Sequence, residues 1–512
     1  MTKNFPMQKP VWRAALASVL AAFWLTACGG GDSAPATTAL ATSSSSSSSS
    51  TQAAPPLPVA AQTTAVAPAQ TPAPAQEQVQ EPATPSGSAE FRVNTTTLGI
   101  DQNSSIARLK SGGHVVAWIS NTDRFPAIAV PPSARGVCTQ RYGVDGQALG
   151  QETCIARDAV FMEKPALAAL DDGGYLLVWP VRQSNGAGDD HNLLAQRFDA
   201  NGVAVRAVQQ INSITLSSYI FSTVAVAGLA DGGYVVTWTA PRTADTSLDI
   251  YARRFDAEGV ACACGAEKRV NTFTDSLNLA LRSSPAVTAL AGGGYVITWV
   301  SIGQGGFGGS AIYAQRYGAN NSPTGSETLL TPDISGDLLG ASFPAVSGLA
   351  GGGYAVTYVL ARNDTVPVIA VQSFRADGSA LAAPGVVNPV PGPQPTCTRQ
   401  GSFFPCPRPV EFPAVAALDD GGFVIAWSEG SSPGPVPALF VTKSQARRYG
   451  ADGAPAGAPG RVAASGVRPA VSATSLGGFV VAFSQVRFGG SSSAGIYARY
   501  FDAQAFRDSA AP

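Results

Sequence analysis

The decapeptide LADGGYVVTW, Leu229 to Trp238, recurs along this chain: LDDGGYLLVW ends at Trp179, LAGGGYVITW at Trp299 and LDDGGFVIAW at Trp427. Double glycines begin at Gly112, Gly173, Gly232, Gly293, Gly352, Gly421 and Gly477, about 60 residues apart, which makes seven copies. Each is followed by an aromatic: Trp118, Trp179, Trp238, Trp299, Tyr358, Trp427 and Phe483. Repetition at this period limits the fold more than any other property of the chain, because each copy must bury its apolar faces against its neighbours.

Each copy reads as four strands. A stretch of small apolar residues comes first, as in PAVTAL (Pro285 to Leu290). The double-glycine turn and an aromatic strand follow. After a loop of variable length comes a third stretch such as IYAQRY (Ile312 to Tyr317), ending in a turn such as DANG (Asp199 to Gly202) or DAEG (Asp256 to Gly259). The fourth stretch resembles KRVN (Lys268 to Asn271). β-Branched and aromatic residues between glycine turns indicate strands, and no long segment has a helical apolar period. In YVVTW both alternating faces are apolar, as a sheet covered on both sides requires.

These features predict an all-β fold, a seven-bladed β-propeller of four-stranded antiparallel blades. The ends complement each other. FRVN, Phe91 to Asn94, precedes the first copy and matches the fourth strand, while the seventh copy ends at IYARYFDAQAF with little chain left for its own. The N-terminal strand 91–94 is therefore expected to complete the last blade and close the ring. The array resembles the GGYVVTW and IYAQRFDA-type repeats of bacterial surface and secreted proteins. That resemblance covers nearly all of the chain from residue 89 and informs fold more than activity. Kelch spacing, the sialidase-type Asp-box and the WD signature are absent.

Three segments follow: 1–27, 28–88 and 89–512. Lys3, Lys9 and Arg13 precede an apolar run, Ala14 to Leu25, too short for a relaxed span. LTAC, Leu25 to Cys28, resembles the lipobox of bacterial lipoproteins. The resemblance implies a signal peptide cleaved before Cys28, an acylated cysteine and a lipid bilayer as partner. The expected location is the bacterial cell envelope, at the outer membrane, on its periplasmic or surface side. Residues 28–88 are mostly Ala, Pro, Ser, Thr and Gln, with serines unbroken from Ser43 to Ser50. Such a segment cannot bury enough apolar surface to offset its ordering entropy and reads as a disordered tether. No second run of 18 apolar residues occurs, so the expected anchor is lipid alone.

Chemistry-bearing residues are sparse. Net charge is −1 and no basic run interleaves with aromatics, which argues against nucleic acid. The two histidines are His114, in the place Tyr holds in other copies, and His191, after Asp189 and Asp190 in what reads as a solvated loop tip. Each D-A-x-G turn offers one carboxylate, so turn chemistry is a better reading than calcium, and no cofactor is expected. The paired carboxylates Asp171–Asp172 and Asp419–Asp420 lie where a turn is required. The third-strand arginines, Arg197, Arg254 and Arg316, are expected to keep wet heads. Six cysteines beyond Cys28 suggest pairs: Cys138 with Cys154 across a hairpin, Cys397 with Cys406 around a Pro-rich loop, and Cys262 with Cys264 left open.

Function is expected on the irregular face, where second-to-third loops and connections between copies vary. Candidate residues there are Asp189, Asp190, His191, Phe307, Phe403 and Phe404. The favoured role is a monomeric binding or adhesion module for a protein or glycan ligand, without catalysis. The alternative is a propeller hydrolase or lyase acting on polysaccharide. That reading requires several ionisable side chains to converge near the channel, and the sequence shows no obvious set.

Overall fold

A computed structural model describes residues 88–95, 100–121, 136–156, 164–184, 189–213, 216–217, 223–242, 247–261, 266–273, 281–304, 309–331, 338–362, 366–388, 410–431, 441–487, 493–502 and 506. The leader, Cys28 and all of the tether but Ser88 lie outside them, as do Cys262, Cys264, Cys397 and Cys406. The described secondary structure is almost wholly β, in antiparallel strands.

The repeat builds one kind of sheet. In the first copy Ile100–Arg108, His114–Asn121, Gly136–Tyr142 and Ala148–Ala156 pair in order, each antiparallel to the next. In the fourth copy Leu281–Ala289, Tyr295–Ile302, Ser310–Tyr317 and Pro323–Leu329 do the same. First strands lie beside first strands, copy after copy, and Ile100–Arg108 also adjoins Val467–Ala473 of the seventh. Their close approach to one another explains their small residues.

The two glycines of each turn are required for different reasons. The first has a left-handed backbone, φ 82° at Gly232 and 86° at Gly293, which a side chain strains. The second has no room for a Cβ, which would sit 2.1 Å from the Tyr317 carbonyl oxygen at Gly294 and 2.0 Å from that of Phe374 at Gly353. The backbone is drawn in by a ring pair. Tyr295 stacks on Tyr317 at 4.7 Å and Tyr354 on Phe374 at 4.7 Å, opposite each other in register. His114 takes this place in the first copy, stacked 4.9 Å from Tyr142.

Trp118, Trp179, Trp238, Trp299 and Trp427 are fully buried. They pack between copies: Trp238 lies in one apolar cluster with Leu176 and Val178 of the preceding copy, and Trp118 shares one with Val480 and Ala482 of the seventh. The third-strand arginines depart from expectation. Arg316 donates to the Asp377 carbonyl at 2.5 Å, and Arg141 to that of Ala200 at 2.5 Å. Arg197 and Arg254 likewise reach Ala257 and Ala319. Each head is latched to the turn that follows the third strand of the next copy, whose carbonyls need donors.

Phe91–Arg92 pairs antiparallel with Ser493–Phe501, with Phe91 opposite Ala498. Val93 donates to the Ile496 carbonyl at 2.8 Å, as Val270 does to Ile250 at 2.7 Å. The Asn94 carboxamide accepts the Ile496 N–H at 2.9 Å, as Asn271 accepts that of Ile250 at 2.8 Å. The N-terminal strand thus makes the fourth-strand contacts of the seventh copy. Docking begins at Ser88, whose hydroxyl accepts the Tyr500 N–H at 3.1 Å.

Candidate functional site

The expected site residues are only partly described. Asp189, Asp190 and His191 are not a loop tip; their backbones belong to the strand Asp189–Phe198, with His191 opposite Arg182 and also paired with Leu216. The strand starts earlier than the polar sequence suggests because backbone pairing on both sides holds it. Phe307, Phe403 and Phe404 lie outside the described residues. Cys138 and Cys154 face each other across a hairpin with an S–S distance of 2.02 Å, so neither sulfur is left for a metal. Glu152 beside them accepts the Thr95 N–H at 2.8 Å.

The acidic turns serve the fold. Asp172 accepts the Gly174 N–H at 3.0 Å and the Arg197 guanidinium at 2.6 Å. Burial alone would raise its carboxyl pKa, but these donors hold it below the ordinary value. In the D-A-x-G turn, Asp199 accepts backbone N–H groups from Asn201 at 2.9 Å and Val203 at 2.8 Å. His114 is buried, which lowers its pKa to about 3, and its Nε2 lies 3.2 Å from the Tyr500 hydroxyl.

A different constellation lies along the first strands. Each described first strand with a bulge breaks register just before its small apolar run, between Gln102 and Ser105, Ser283 and Ala286, Ser342 and Ala345, Glu411 and Ala414, and Val467 and Ala470. At each bulge one non-glycine residue is left-handed: Asn103 (φ 61°), Ser284 (54°), Phe343 (51°), Phe412 (51°) and Arg468 (53°). Such backbones cost about 1–3 kcal/mol each and collect where side chains are aimed for function. Neighbouring copies hold them in place: Ser484 Oγ accepts the Asn103 N–H at 3.1 Å, and Ser428 Oγ that of Arg468 at 2.9 Å. Lys164 and Thr223 occupy the corresponding sequence places in the second and third copies.

The seven positions differ in chemistry by sector. In the order in which first strands adjoin, Phe343, Phe412, Arg468, Asn103 and Lys164 form one group and Thr223 and Ser284 the other. Phe343 and Phe412 are 4.8 Å apart, and the Arg468 guanidinium lies 4.6 Å above the Phe412 ring while donating to the Asn103 side chain. Glu411 precedes Phe412; burial raises its carboxyl pKa, with Arg468 pulling the other way. Lys164 is accessible to solvent yet enclosed by protein, and that enclosure, with repulsion from Arg468, lowers its pKa to about 8. At the other end of its first strand, Arg108 reaches Asp419 at 2.5 Å, joining the first copy to the sixth. Sequence reasoning missed the group because it weighed charges copy by copy. The usable signal was the residue before the recurring proline, at Pro165, Pro285, Pro344, Pro413 and Pro469, where the copies stop agreeing.

No protein-family model matches this chain, and no curated protein matches it in sequence. Among solved structures, an α-L-arabinanase of Penicillium chrysogenum, complexed with arabinobiose, is similar at 12% identity and TM-score 0.42, covering 82% of this chain and 99% of that one. An α-L-arabinofuranosidase of Fusarium graminearum is similar at 10% identity and TM-score 0.41, covering 83% and 99%. The polysaccharide lyase Uly1 is similar at 10% identity and TM-score 0.42, covering 81% and 99%. The expectation of a binding or adhesion module is corrected. Lys164 and Glu411 each lie close enough to Arg468 for their charges to interact, so the ionisable set whose apparent absence favoured that role is present. Their proximity depends on the order of first strands and on a bulge, neither of which a linear motif displays.

Proposed function

We propose that the seven copies form a closed seven-bladed β-propeller, with Phe91 to Asn94 completing the last blade, and that the protein is an enzyme cleaving polysaccharide at the first-strand group. The packing of Arg468 on Phe412, beside Phe343 and bonded to Asn103, carries this reading, with Lys164 and Glu411 near enough to Arg468 to feel its charge. Aromatic faces accept sugar rings. Burial raises the Glu411 carboxyl pKa and enclosure lowers that of the Lys164 amine to about 8, the direction of shift that acid and base groups need. Thr223 and Ser284, at the corresponding places of the third and fourth copies, carry small side chains.

The test is a polysaccharide panel incubated with residues 89–512, reading new chain ends. At least one substrate is expected to be cleaved, and Lys164→Ala and Glu411→Gln to slow that cleavage at least 100-fold with folding unchanged. A panel left intact, or variants as active as the parent, would overturn the proposal. The envelope placement is tested separately: Cys28→Ala should move the protein from the membrane fraction to the soluble fraction and abolish labelling by a fatty-acid probe.

A further inference from the structure

We infer that the junction between the seventh and first copies carries a binding site for a neutral pyranose unit. It is built on third and fourth strands, apart from the first-strand group of the proposed function.

Two departures from the repeat coincide there. The arginine that latches a third strand to the turn of the next copy is Arg141, Arg197, Arg254 and Arg316 in the first four copies. The same place holds Ser373 in the fifth copy and Tyr500 in the seventh. A groove lies at each of these two junctions, about 270 Å³ beside Ser373 and about 820 Å³ beside Tyr500. The larger one falls within the roughly 300–1,000 Å³ usual for small-ligand sites. The second departure is Phe91. In the same register on other fourth strands stand Gln209, Lys268, Thr328 and Gly385.

The two new aromatics meet. Phe91 stacks on Tyr500 at 5.4 Å and meets Tyr142 of the first copy edge-on at 5.7 Å. All three rings line the groove, and Phe91 is partly exposed. The exposed Asp145, Gln147 and Gln151 stand around them, with Arg92 and Glu152. Aromatic faces bordered by amides and carboxylates suit both sides of a pyranose, its apolar C–H face and its rim of hydroxyls.

The lost latch adds acceptors. Arg141 donates to the carbonyls of Ala200 and Asn201 in the second copy's turn. Val144 and Asp145 hold the equivalent places in the first copy. Tyr500 reaches the Gly146 carbonyl instead, at 3.5 Å, so the third-strand guanidinium is missing at those two carbonyls. Sugar hydroxyls can donate where it would have done. An acidic sugar is disfavoured, because the described lining sets two carboxylates, Asp145 and Glu152, against one cation, Arg92.

The experiment titrates the full chain with cellotetraose, xylotetraose and mannotetraose, and with tetragalacturonate as the charged comparator, and follows backbone hydrogen exchange. At least one neutral tetrasaccharide should protect the peptides spanning Ser88 to Thr95 and Gln140 to Glu152. Tyr500→Arg restores the latch and fills the groove, so it should keep the parent's Tm and lose that protection. Ser373→Arg, at the smaller groove, should keep the protection. Gln151→Ala changes an exposed side chain and should weaken binding about 10-fold. No protection of these peptides by any neutral tetrasaccharide, equal protection in Tyr500→Arg and the parent, or stronger protection by tetragalacturonate overturns the inference. Protection confined to first-strand peptides overturns it and leaves the proposed function standing. Where Tyr500→Arg does not fold, Gln151→Ala decides, and parental affinity in that variant overturns the inference.

Discussion

Ile496 donates its backbone N–H to the side chain of Asn94 at 2.9 Å, joining residues 402 positions apart in the chain. Asn94 also donates to Asp101 at 2.6 Å, so one buried carboxamide ties the N-terminal strand, the first copy and the seventh. Asn94→Ala leaves a buried N–H without its acceptor, a loss of about 1–3 kcal/mol. Thermal unfolding of residues 89–512 should show a fall in Tm of several degrees. Deleting 89–95 should lower it further; an unchanged Tm in the deletion would refute closure through this strand.

The double glycines allow an internally controlled comparison. At Gly294 a Cβ would meet the Tyr317 carbonyl oxygen at 2.1 Å, while at Gly292 it would meet nothing within 4 Å. Gly294→Ala should therefore cost about 2–3 kcal/mol through forced backbone movement, and Gly292→Ala should be near neutral. Equal midpoints in urea would remove the steric account of the second glycine.

His114 makes stability depend on acid. Burial lowers its pKa to about 3, whereas the unfolded chain binds a proton near pH 6.5. Between those values the unfolded state holds more protons than the native one, so stability falls as pH drops, by up to about 1.4 kcal/mol per pH unit from this group. His114→Tyr restores the residue found in four other copies and should flatten the stability profile between pH 6 and 4. A variant with the parent's slope would assign the acid sensitivity elsewhere.

The Cys138–Cys154 disulfide spans 16 positions of sequence. Chain-entropy bookkeeping gives about 3 kcal/mol for a loop of this length. Paired replacement by serine, or reduction, should lower the unfolding midpoint without dismantling the sheet, since Cys138 to Tyr142 retain their partners in His114–Asn121. A midpoint insensitive to reductant would show that the bond adds nothing.

Much of the fold was legible because its demands are local and repeated. The first glycine needs a left-handed backbone, the second needs space, and the aromatic next to them needs a cross-strand partner; each demand leaves a residue at a fixed spacing. The match between FRVN and KRVN was readable because Asn94 and Asn271 answer the same backbone N–H. The first-strand group was not readable in this way. Phe343, Phe412, Arg468, Asn103 and Lys164 are unlike one another, and only the order in which first strands adjoin makes them neighbours. The arginines were misjudged for a similar reason: the acceptors for Arg141 and Arg316 lie one copy ahead, about 60 residues away. The DDH segment was misplaced because its polarity outweighed the pairing that Arg182 and Leu216 provide.

The shared seventh sheet also sets an order of events. Phe91 and Arg92 leave the ribosome before any of the repeats, yet their pairing partners, Ala498 and Tyr497, are made only after the first six copies. Six copies can pair within themselves as they emerge. The seventh waits, with an open strand edge at each end of the assembly, until the first-made segment meets the last-made one. Completion of this molecule is therefore a check on chain integrity: a product truncated anywhere before Tyr497 keeps both edges bare and exposed to aggregation or proteolysis.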